Sequence, residues 1–140
     1  MNRILPLLLL ACLLGGCATS QIEVDHARGL AGSQRYFILA NSNDNRAVDR
    51  RIANVLRARG FTAEYGPHTM MPDDAQVIVT YDDRWSWDFG DRLNYLRISA
   101  RDAKTAAPLA NAQYFARIPG RQPLDELIAE LVDRMLAGKK

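Results

Sequence analysis

The sequence predicts an α+β two-layer sandwich: a mainly antiparallel sheet of four to five strands with two helices on one face, in the order β-α-β-β-β-β-α. Three observations predict it. Apolar residues recur at helical spacing in two places, at Val48, Ile52, Val55 and Leu56, and again at Leu124, Leu127, Ile128, Leu131, Val132 and Met135. Short apolar or alternating runs, such as Tyr36-Phe37-Ile38-Leu39-Ala40, lie before and between them. Gly, Pro, Asn and Asp separate those runs. The 140 residues are 48% hydrophobic and 24% charged, which suits one globular core and excludes wholesale disorder or a multi-span membrane protein. Eighteen Lys+Arg against 16 Asp+Glu leave a net charge of +2, too balanced to mark a nucleic-acid binder.

Met1-Asn2-Arg3 is a short basic start, and Ile4 to Leu14 is apolar apart from Pro6. As a helix that run is about 16 Å long, roughly half the hydrocarbon thickness of a bilayer, so it fits a secretory signal rather than a span. Leu14-Gly15-Gly16-Cys17 closes it and resembles the bacterial lipobox. The resemblance implies cleavage after residue 16, leaving Cys17 as the acylated first residue of the mature chain. Two or three acyl chains, each stabilising insertion by about 0.8 kcal/mol per buried CH₂, make such an anchor effectively permanent. Leu9-Leu10-Ala11-Cys12 is a rival box, but it shortens the apolar segment to Ile4–Leu10 and leaves Leu13-Leu14 in the mature protein. Residue Ala18 follows the cysteine; by the same resemblance, the lack of Asp there points to the outer membrane, periplasmic side. With both cysteines within the first 17 residues, the rest of the chain can form no disulfide.

Residues 17–34 have no sustained periodicity and read as the lipidated cysteine and a flexible tether, with a single periplasmic domain over 35–140. In that domain Tyr36–Ala40 is a buried strand, and Asn41-Ser42-Asn43-Asp44-Asn45 is a turn. Asp44 or Asn45 caps the first helix and Gly60 ends it. Phe61 to Tyr65 is the next strand, stopped by Gly66-Pro67, and Met70 to Asp74 is a loop. Gln76 to about Phe89, Arg92–Arg101 and Leu109–Ile118 follow as strands, with turns at Gly90-Asp91 and Asp102–Pro108. Leu96 and Ile98 share one face, as do Ala110, Ala112, Tyr114 and Ala116. Pro123 suits the start of the last helix, Asp125 and Glu126 its positive end, and Gly138 and Lys139-Lys140 its finish.

The phrases DRRIANVLRARG (49–60), AQVIVTY (75–81) and LRISARDAKT (96–105), with the closing helix, resemble a family of uncharacterised Gram-negative envelope lipoproteins that share a domain of unknown function. More loosely, the order of elements resembles the N-terminal domain of the Tol-Pal propeller protein and peptidoglycan-synthase activator lipoproteins. The resemblance implies a protein-binding or assembly role. The activators carry long disordered tethers, whereas this one is short, which tells against a reach across the envelope.

The segment Tyr81 to Asp91 holds both tryptophans. On a continuous strand Tyr81, Asp83, Trp85, Trp87 and Phe89 face one way, making an aromatic ribbon with steps of about 6.6 Å. Such a ribbon is either a partner-binding surface or a cover for the core. Its carboxylates raise a second possibility, a small envelope hydrolase acting on glycan or peptide through Asp82, Asp83 or Asp88. On an extended strand Asp82 and Asp88 stand about 20 Å apart, too far for a glycosidase pair or one ion unless a sharp bulge near Ser86 gathers them. Asp88-Phe89-Gly90 spells a kinase metal-binding triplet without the rest of the kinase set. His26 and His68 have no ligand set at metal spacing, and no serine sits in a nucleophile elbow. No catalytic residue, metal or cofactor is expected. The arginines of the first helix, Arg46, Arg50 and Arg57 foremost with Arg51 and Arg59 beside them, are either a contact for anionic lipid headgroups or a solvated face.

The expected function is therefore a non-enzymatic outer-membrane lipoprotein that binds or helps assemble another envelope component. A self-associating structural lipoprotein is a further alternative.

Overall fold

The computed structural model describes residues 20–87, 89–118, 120 and 122–138. Residues 1–16, expected as a signal, together with Cys17, Ala18, Asp88 and Lys139-Lys140, lie outside the described residues.

A six-stranded sheet carries two helices on one face, so the α+β two-layer architecture holds. The elements are β1 (Ser20–Asp25), β2 (Arg35–Leu39), α1 (Val48–Ala58), β3 (Thr62–Gly66), β4 (Val77–Trp87), β5 (Asp91–Asp102), β6 (Pro108–Ala116) and α2 (Leu124–Leu136), with a 3₁₀ turn at His68–Met70. Spatial order is β1-β6-β5-β4-β2-β3. β1, β6, β5 and β4 are mutually antiparallel, while β2 lies parallel to both β4 and β3 because α1 carries the chain back between β2 and β3.

The sheet has one strand more than expected. Ser20–Asp25 pairs along its length with β6, from Ser20 opposite Ala116 to Asp25 opposite Asn111. Ile22 and Val24 pack against the core, and Glu23 accepts a 2.6 Å hydrogen bond from Gln113 Nε2. Arg28 and Gly29 then donate backbone N–H groups to Leu109 O, and Leu30 is buried. Among the described residues the sheet thus takes in Ser20–Asp25, a stretch expected as tether, because Ile22 and Val24 gain apolar neighbours there.

The core lies between the sheet and the helices. Ile38, Val77, Val79, Leu96, Ile98 and Ala112 meet Ile52, Leu56, Ile128, Leu131 and Met135. The helices are tied to each other at the surface: Arg51 bonds Asp125 at 2.6 Å and Arg59 makes two 2.8 Å bonds to Asp133. Those bonds from Arg59, outweighing the opposing desolvation, hold the Asp133 carboxyl below its usual range. No helix among the described residues is long and apolar enough to cross a membrane.

Candidate functional site

The β4–β5 hairpin outruns its neighbours. β4 has 11 residues and β5 has 12, whereas β2 pairs with β4 only from Val77 to Val79. Its outer half therefore projects past the helix-covered core. Between Arg84 and Trp85 the register shifts: Arg84 opposes Tyr95 and Trp85 opposes Leu93, leaving Asn94 as the extra residue of a bulge. Ser86 Oγ and Asn94 Oδ1 close that bulge at 2.8 Å.

The five residues expected as one ribbon are divided by this geometry. Tyr81 is buried, and its hydroxyl accepts from Asn41 N–H at 3.1 Å while donating to Asp44 Oδ2 at 2.8 Å. Burial, followed by the neighbouring Asp44 carboxylate, pushes the Tyr81 phenol well above its ordinary range. Tyr81, expected on a contact surface, is placed by the structure in the core, where it braces the Asn41–Asp44 loop. Asp83 faces inward opposite Leu96 and accepts a hydrogen bond from Trp85 Nε1. The Trp85 ring carries the Arg46 guanidinium 3.8 Å from its centroid, and Arg46 also bonds Asp91 at 2.6 Å. Asp83 and Trp85 are thus each held by an intramolecular partner. Trp87 and Phe89 remain as exposed aromatics, at 77% and 99%.

The first helix's basic face is redirected in the same way. Arg46 is engaged with Trp85 and Asp91. Arg57 donates to Ala63 O at 2.7 Å and lies 5.9 Å from the Tyr65 ring centroid, bracing α1 against β3. Both guanidinium groups have intramolecular partners, supplied by the hairpin and by β3. Arg50 and Arg57 are both exposed, and Arg46 is half-buried.

Asp82 is exposed on the outer face beside Arg97, whereas Asp83 faces the helices. The bulge does not bring these two carboxylates together. Asp91, at the hairpin turn, is ion-paired to Arg46. A groove of about 420 Å³ runs between Trp85, Leu93, Tyr114, Leu124 and Leu127, and its lining holds no nucleophile beside a base. Among the described residues there is no cluster of three His, Cys, Asp or Glu able to hold a metal.

Sequence reasoning passed over the outer face of the sheet. Here Arg84, Tyr95, Phe115 and Gln21 form one cross-strand row, and Asp82, Arg97, Gln113 and Glu23 the next. Arg84 sits 5.5 Å from the Tyr95 ring centroid, and Phe115 is 49% exposed. No helix of the described residues packs on these rows, because both lie on the opposite face. The signal was present: if Ala112, Tyr114 and Ala116 face the core, Phe115 must face out.

No family model matches the chain, and no curated protein matches it. Among solved structures it is similar to PelC from Paraburkholderia phytofirmans, described as a dodecamer. That match has a TM-score of 0.61 at 14% identity, over 86% of this chain and 99% of PelC; a single-site PelC variant gives 0.61 at 16%, over 84% and 96%. A PDZ domain protein from Parabacteroides distasonis matches at TM-score 0.50 and 13% identity over 84% of this chain, which spans 36% of that protein. TolB from Acinetobacter baumannii overlaps at 0.47 and 13% identity, over 83% of this chain and 31% of its own, too little to carry the expected Tol-Pal likeness further. These identities establish a shared fold and nothing beyond it.

Proposed function

We propose that the chain is a non-enzymatic lipoprotein of the outer membrane, anchored through Cys17 on the periplasmic side. In this reading its domain binds or helps assemble another envelope component. The observation that carries the binding role is the outer face of β4, β5 and β6, which no helix among the described residues covers. A sheet face that folds without a covering layer is normally polar throughout, yet this one sets Phe115 and Tyr95 among Arg84, Arg97 and Gln113. Aromatic residues ringed by arginine are the composition of a protein contact surface. The contact surface therefore moves from the inward part of the hairpin to the outer sheet face.

A second copy of the chain is the alternative occupant of that face, favoured by the PelC fold having been crystallised as a dodecamer. Extraction of membranes in mild detergent, followed by sizing, tests both versions. Wild type is expected to run larger than a monomer, Phe115→Glu to collapse to one, and Arg50→Glu on the helix side to remain large. Mass spectrometry of the large species distinguishes a foreign protein from self-association. A wild type that sizes as a monomer contradicts the proposal, as does a Cys17→Ala chain that still fractionates with the outer membrane.

A further inference from the structure

We propose that the hairpin tip, Trp87 and Phe89, together with Ile118, seats the domain in the interfacial layer of the membrane that holds its anchor. The inference rests on the reading of Cys17 as the acylated residue and adds to it a second, side-chain attachment.

The register fixes which end of the sheet faces the anchor. β1 begins at Ser20 opposite Ala116, the last residue of β6. One residue earlier, Phe115 opposes Tyr95, which in turn opposes Arg84 near the end of β4. Ser20 is therefore at the same end of the sheet as the hairpin tip. Ser20 is three residue steps from Cys17, a reach of about 10 Å when extended. Trp87 stands three residues beyond Arg84, again about 10 Å further along the strand direction. The anchor and the tip thus reach a common level, and a tether this short holds the tip end against the bilayer.

The side chains at that end fit such a surface. Phe89, Trp87 and Ile118 are 99%, 77% and 64% exposed: Trp87 ends β4, Phe89 lies between β4 and β5, and Ile118 follows the end of β6. Phe89 also has φ of +49°, a left-handed conformation that costs a bulky residue about 1–2 kcal/mol, and it packs on nothing in compensation. Fold stability does not account for an aromatic at that position. Tryptophan and phenylalanine at the headgroup boundary account for it, since one ring face leaves water while the indole N–H keeps a polar partner. Arg117 beside Ile118 is a charge that limits the depth to the headgroup region. The outer sheet face, perpendicular to this end, stays open to a protein.

The test uses the acylated full chain in vesicles of phosphatidylethanolamine and phosphatidylglycerol, with and without bromine on the acyl chains. In Trp85→Phe, Trp87 is the sole indole; in Trp87→Phe, Trp85 is. The expected result is a blue-shifted Trp87 that loses most of its emission to brominated lipid, beside a Trp85 that loses little. If Trp85→Phe does not fold, the difference between wild type and Trp87→Phe isolates the same signal. A chain that floats with the vesicles while Trp87 stays water-like and unquenched overturns this inference and leaves the lipoprotein reading standing. A chain whose Cys17 peptide carries no acyl mass and does not float removes both.

Discussion

Asp44 is the residue whose removal tests the structural account most sharply. Its Oδ1 accepts the Arg46 N–H at 2.8 Å, and its Oδ2 accepts the Val48 N–H at 2.7 Å and the Tyr81 hydroxyl at 2.8 Å. One carboxylate therefore satisfies two donors at the start of α1, where Ala47 in a left-handed conformation offers no side-chain cap of its own, and joins that start to β4. Asp44→Ala removes a helix cap worth about 1 kcal/mol. It also leaves the part-buried Tyr81 hydroxyl without its acceptor, a further 1–2 kcal/mol or so. The expected loss is about 2–3 kcal/mol, or about 8–12 °C in Tm for a domain of this size. Tyr81→Phe is expected to cost less, because it removes the donor together with the need for an acceptor, and the pair should couple by at least about 0.5 kcal/mol in a double-mutant cycle. Partial burial opposes ionisation of Asp44, but the bonds from Arg46, Tyr81 and Val48 outweigh it and hold the carboxyl below its usual value. A carboxyl depressed in the folded state stabilises fully above its unfolded pKa of about 3.9, and that contribution is lost as pH falls through the folded value. Urea melts at neutral pH and below pH 4 read both effects. A loss under about 0.5 kcal/mol at neutral pH, or one that does not shrink on acidification, refutes the reasoning.

Other outcomes follow from the same geometry. Trp85→Ala should cost about 1–3 kcal/mol through its stack with Arg46 and its place opposite Leu93, whereas Trp87→Ala should stay within about 0.5 kcal/mol; equilibrium denaturation of both compares them directly. Phe89→Gly should raise stability by about 0.5–1 kcal/mol by relieving the positive φ, read as a higher urea midpoint at unchanged slope. Asp133→Asn should cost under about 1 kcal/mol because the Arg59 pair is solvent-facing, and added salt should narrow the difference from wild type in thermal melts.

The elements with a strong period were legible from sequence. Val48, Ile52 and Leu56 of α1 and Leu127, Ile128, Leu131, Val132 and Met135 of α2 are buried as the helical spacing requires. The strand Ser20–Asp25 was not read, although Ile22 and Val24 alternate with Gln21 and Glu23, because two apolar residues are too few to exceed the background of a polar stretch. Only its pairing with β6 gives them a core to face. Period-two alternation placed Tyr81 and Trp87 on one face correctly in principle, but not where the core ends beneath them. The helices cover Tyr81 and stop short of Trp87, a boundary set by tertiary packing. The arginines in and beside α1 read as a headgroup contact or a solvated face because their acceptors, Asp91, Asp125, Asp133 and the Ala63 carbonyl, are distant in the chain or belong to the backbone.

Site-specific photocrosslinking in cells tests the central claim most directly, with the photoreactive residue placed in turn at Phe115, Arg97 and Arg50. A discrete protein adduct from Phe115 and Arg97, absent from Arg50 on the helix side, is the predicted result and makes the outer sheet face the binding surface. Equal, diffuse labelling from all three positions, or a discrete adduct from Arg50 alone, contradicts it.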